Sequence, residues 1–81
     1  MKYLGKTLTW KKDYGDGEIT DDAVLWVNKE PTEIVISGAE CGWYGVLYYG
    51  NTKLYIADTR KELKEALFTE FKDILNKVVK G

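Results

Sequence analysis

The chain has 81 residues, 44% hydrophobic and 31% charged, with a net charge of −1. That length gives room for one core, so residues 1–81 read as a single domain. The balance excludes a disordered tail and the strongly basic character of most nucleic-acid binders.

In chain order, the first expected strand covers Thr7 to Lys12 and could begin as early as Tyr3. The turn-rich run Asp13-Tyr14-Gly15-Asp16-Gly17 follows it. The segment from Ile19 to Glu30 has two readings. Thr20 followed by Asp21 and Asp22 resembles a helix start, and Pro31 would stop a helix. Val24-Leu25-Trp26-Val27 is instead a compact β-prone run, and strand is the favoured reading. Ile34-Val35-Ile36 centres a short strand over Glu33 to Ser37.

Trp43 to Tyr49 and Lys53 to Ala57 are strand-like runs joined by Gly50-Asn51, whose glycine supplies the positive φ a tight hairpin needs. If Gly50 and Asn51 form the loop, Tyr49 faces Thr52 and Tyr48 faces Lys53. Leu47 then faces Leu54, Val46 faces Tyr55 and Gly45 faces Ile56. Alternation puts Leu47, Leu54 and Ile56 on one face, expected to meet a helix. It puts Tyr44, Val46, Tyr48 and Tyr55 on the other.

The last third reads as one helix from about Arg60 to Val79. Leu63, Leu67, Phe71, Ile74, Leu75 and Val78 recur at spacings of three and four and make one apolar stripe. Thr59 with Glu62 three residues later has the pattern of a capping box, which satisfies N–H groups at a helix start. The expected fold is α+β: an antiparallel β-meander of about four to five strands over residues 3–57, packed by one C-terminal amphipathic helix over residues 60–79.

Charge is unevenly distributed. Residues 1–12 hold Lys2, Lys6, Lys11 and Lys12 and no acid. Residues 13–40 hold Asp13, Asp16, Glu18, Asp21, Asp22, Glu30, Glu33 and Glu40 against Lys29 alone. An acidic segment of this kind can steer a protein onto a basic surface if its side chains converge.

Motifs of chemistry are missing. The chain has no histidine, which removes the commonest general base and metal ligand. Cys41, the only cysteine, reads as an incidental thiol and excludes an intramolecular disulfide. The acids between Asp13 and Asp22 do not follow calcium-loop spacing, because Gly15 and Gly17 stand where ligands are needed. No phosphate-binding or dinucleotide fingerprint occurs. The expectation is therefore a protein that is not an enzyme, with no cofactor and no metal. With no signal peptide and no stretch long enough to span a bilayer, the expected compartment is the cytoplasm.

Two surfaces remain as candidate sites: the aromatic face of Tyr44, Val46, Tyr48 and Tyr55, and the acidic stretch of Asp13, Asp16, Glu18, Asp21 and Asp22. Tyrosine gives large contact area at small entropy cost and is enriched at interface hot spots. The leading expectation is a small protein-binding module, such as an inhibitor that docks an acidic or aromatic face on a larger basic, nucleic-acid-handling protein. That is the style of accessory proteins of phages and mobile elements, without a motif match. Two alternatives stand beside it: a single-strand nucleic-acid binder stacking bases on the tyrosine face, disfavoured by the acidic charge and single arginine, Arg60, and a homodimeric structural protein.

Overall fold

The computed structural model describes residues 1–15, 18–38 and 45–80, with the side chains of 13–15 and 18–21 left aside. Six strands follow one another along the chain and across the sheet: β1 (Lys2–Tyr3), β2 (Lys6–Gly15), β3 (Glu18–Val27), β4 (Glu30–Gly38), β5 (Gly45–Tyr49) and β6 (Thr52–Ala57). All neighbours are antiparallel, in the order β1-β2-β3-β4-β5-β6. Two helices close the chain, α1 (Arg60–Thr69) and α2 (Lys72–Lys80). The α+β meander is as expected, with six strands rather than four to five and two helices rather than one.

The extra strand comes from a turn at Leu4-Gly5, where both residues have positive φ, 50° and 79°. A tight I′-type turn requires that geometry, and leucine adopts it only at some cost. The turn splits the expected Tyr3–Lys12 run into β1 and β2. Asp13 to Gly15, expected in a turn, belong to β2. Residues 18–27 are strand, and the helix alternative fails. β3 and β4 are linked through Asn28-Lys29, with Asn28 at φ 57°. Its side-chain oxygen accepts from the Thr7 N–H at 3.1 Å, and its own N–H donates to the Thr7 carbonyl at 2.6 Å.

Two irregularities set the faces of the sheet. Between Val24 and Trp26 the register with β4 shifts. There the Thr32 hydroxyl donates to the Leu25 carbonyl at 2.7 Å and accepts from the Ile34 N–H at 3.2 Å. One side chain thus satisfies backbone groups that the ladder leaves unpaired. Between β5 and β6 the shift falls between Leu47 and Tyr48. Tyr49↔Thr52 and Tyr48↔Lys53 pair as expected, but Leu54 is then the extra residue of a bulge. Beyond it Leu47 faces Tyr55, Val46 faces Ile56 and Gly45 faces Ala57.

Both helices lie on one side of the sheet. Leu8, Leu25, Ile34, Ile36 and Leu47 form a single buried core with Leu63, Leu67, Leu75 and Val79. Burying each such side chain contributes about 1.5–3 kcal/mol relative to exposure. Gly45 lets α1 approach closely: a Cβ there would stand 2.3 Å from the Ser37 carbonyl oxygen and 3.1 Å from Leu63 Cδ1.

Thr59 caps α1 by accepting from the Glu62 N–H at 3.1 Å. The helix then ends without glycine or proline. The Ala66 carbonyl accepts from both Glu70 N–H (2.8 Å) and Phe71 N–H (3.0 Å), while the Thr69 hydroxyl donates to the Glu65 carbonyl at 2.8 Å. Such back-bonding bends helices. α2 restarts at once, with Leu75 N–H donating to the Phe71 carbonyl at 3.0 Å. The break keeps Leu75 and Val79 in the same core as Leu63 and Leu67. It also brings Asn76 to the far edge, where its side-chain oxygen accepts from the Tyr3 hydroxyl.

Candidate binding face

The side of the sheet turned away from the helices is built from three cross-strand rows, because directly paired residues of antiparallel strands share a face. The central row is Lys11–Val24–Val35–Tyr48–Lys53, each paired with the next. Beside it runs Thr9–Trp26–Pro31. On its other side runs Ser37–Val46–Ile56, with the Ser37 hydroxyl donating to a carboxylate oxygen of Asp22.

Val24, Trp26, Val35, Tyr48 and Ile56 are half-buried, while Lys11 and Lys53 are exposed. Val46 is only 8% exposed. Among the described residues no helix packs on this face. The Lys11 ammonium lies 4.0 Å from the centroid of the Trp26 ring, a cation–π contact worth about 0.5–1 kcal/mol at an exposed position. The face therefore has an apolar centre and a cation on each flank.

Of the expected aromatic face, Tyr48 and Val46 lie on this side. Tyr44 falls outside the described residues. Tyr55 does not belong to it: the Leu54 bulge turns Tyr55 toward the helices, where its ring meets Phe71 edge-on, with centroids 5.9 Å apart and planes at 69°. The same shift sends Ile56, expected under the helix, to the uncovered face. Trp26, Val24 and Val35 were not singled out. Their alternation with Leu25, Ile34 and Ile36 is the signal that finds them once β3 is taken as a strand.

The acidic stretch is only partly placed. Asp13, Glu18 and Asp21 lie on the backbone of the β2–β3 hairpin, with side chains outside the description, and Asp16 lies outside it altogether. Asp22 is half-buried and held by Ser37. Cys41 and Trp43 also lie outside the described residues.

A concavity lies along α1. A groove of about 430 Å³ is bordered by Arg60, Lys64, Phe68 and Met1, among others. The Lys64 ammonium lies 5.6 Å from the Trp10 ring centroid. Partial burial, and then the neighbouring Arg60 charge, hold the Lys64 pKa below its ordinary 10.5. Among the described residues, no three acidic or thiol side chains gather to hold a metal ion. No described helix is long and apolar enough to cross a membrane. Compared with protein-family models, with curated proteins and with solved structures, the chain matches none.

Proposed function

We propose that this chain is a protein-binding module that docks through the sheet face its helices leave uncovered. The observation that carries this is the patch of Val24, Trp26, Val35, Tyr48 and Ile56, set on four consecutive strands, β3 to β6, with β2 as its lysine-bearing border. A rigid sheet presenting a tyrosine and a lysine-capped tryptophan among aliphatic residues has the composition of an interface centre. The helices fix the strands from behind, so little order is lost on docking. Inhibition of a basic, nucleic-acid-handling protein would draw on Asp13, Asp16, Glu18 and Asp21.

The test is affinity capture from the native host lysate with three baits: the wild-type chain, Tyr48→Ala and Trp26→Ala. Retained melting behaviour in both variants is the control for folding. A protein captured by the wild type and lost with either folded variant supports the module. Equal capture by all three baits refutes docking through this face.

A further inference from the structure

We propose that the occupant of the uncovered face is a protein segment with an apolar centre and a carboxylate at each end. This rests on the docking reading above and specifies the chemistry of the partner. The central row runs Lys11–Val24–Val35–Tyr48–Lys53 across five adjacent strands. Four inter-strand steps of about 4.8 Å place its end residues roughly 19 Å apart. Between the two ammonium groups lie two valines and a tyrosine ring, a surface that favours aliphatic and aromatic contact. An extended segment crossing the sheet at right angles covers that distance with about six residues. Its end carboxylates then meet Lys11 and Lys53, and its central side chains rest on Val24, Val35 and Tyr48.

Two other occupants fit less well. Laying this row on its own copy about a two-fold axis brings lysine onto lysine, which like-charge repulsion opposes. A single-stranded nucleic acid needs rings on which bases stack and cations for its phosphates. The row offers one ring, Tyr48, since Lys11 already covers the Trp26 ring, and its two lysines are few for a run of phosphates.

The experiment is a backbone-amide NMR titration of the full chain with a blocked seven-residue peptide of alternating valine and threonine, flanked by glutamate at both ends. A glutamine-ended analogue and a twelve-nucleotide oligothymidylate serve as the comparison probes. Expected are shifts at Lys11, Val24, Trp26, Val35, Tyr48 and Lys53. Binding of the glutamate-ended peptide should weaken about two- to five-fold with Lys11→Gln or Lys53→Gln, and with added salt, as exposed ion pairs do. Both lysines are exposed, so the variants keep the fold.

Equal binding of the glutamine-ended peptide at these residues would overturn the charged ends while leaving the docking face intact. Shifts confined to the helix side, or none, would overturn the occupant. Tighter binding of the oligonucleotide on this face would assign it to nucleic acid. A mass that rises with concentration, with shifts on this face in the absence of peptide, would assign it to a second copy.

Discussion

Replacing Tyr55 and Tyr48 separately by alanine should give two very different losses of stability. Both are half-buried tyrosines on adjacent strands, and burial alone does not separate them. Tyr55 faces Leu47 on the helix side and meets the Phe71 ring at 5.9 Å. A fully buried aromatic truncated to alanine costs about 3–5 kcal/mol, so a half-buried one loses roughly half of that. The edge-to-face ring pair adds about 0.5–1.5 kcal/mol, for a total of about 2–4 kcal/mol. At about 0.05–0.15 kcal/mol per residue, a chain of this length has a stability of roughly 4–12 kcal/mol, so Tyr55→Ala removes a large part of it. Tyr48 is not packed against that core, and its cross-strand contacts with Val35 and Lys53 are worth about 0.2–1 kcal/mol each.

Urea denaturation followed by fluorescence measures both losses, and a change in midpoint at constant slope is the signature sought. A double-mutant cycle of Tyr55→Ala with Phe71→Ala should return the ring-pair coupling. Equal losses for the two tyrosines, or a near-zero loss for Tyr55, would refute the bulge at Leu54 and the assignment of faces that follows from it.

Gly45→Ala should destabilise by about 1–3 kcal/mol through overpacking, because its Cβ would strike the Ser37 carbonyl and crowd Leu63. Thermal melting checks this, and an unchanged or higher Tm would refute the close approach of β4 and α1 at Gly45. Lys64→Met keeps the packed stem and removes the charge. The folded pKa of Lys64 lies below 10.5, so at neutral pH, with the amine protonated in both states, its full cost falls on the folded state. As pH rises through the folded pKa toward 10.5 the unfolded chain holds the proton more tightly, and that cost is relieved. The stability difference, Lys64→Met minus wild type, should therefore decline between pH 7 and 10.5. Melting curves across that range measure it, and a difference that stays level or grows counts against the burial of Lys64.

Periodicity carried most of the fold. The apolar stripe from Leu63 to Val78 marked the helical region, Thr59 marked its start, and Gly50-Asn51 marked the last hairpin. What stayed illegible depended on interactions between elements. Nothing in Lys53–Ala57 distinguishes a regular strand from one with an extra residue at Leu54, since Leu54 and Tyr55 are both β-compatible and no glycine signals the bulge. The helix break at Glu70-Phe71 has no glycine or proline to announce it, and the Thr69 back-bond that accompanies it is not legible in the sequence. Leu4-Gly5 hid a turn because leucine is a poor candidate for positive φ. The candidate face was half legible: Tyr48 and Val46 followed from alternation. The alignment of Lys11 with Lys53 across three intervening strands emerges only from the registers of four separate strand pairs.

The strictly sequential strand order has a consequence for the chain during its synthesis. Each strand can pair with the one made just before it, so the sheet can zip up as the polypeptide emerges. Its apolar underside cannot close, because the lids are made last, over residues 60–80. At about 5–20 residues per second, translating that final stretch takes roughly one to four seconds. Until the helices dock, Leu8, Leu25, Ile34, Ile36 and Leu47 have no cover, and Asn76 reaches back to Tyr3 across 73 positions of sequence to close the far edge. The exposure of that plate therefore ends with the docking of the helices, not with the assembly of the strands.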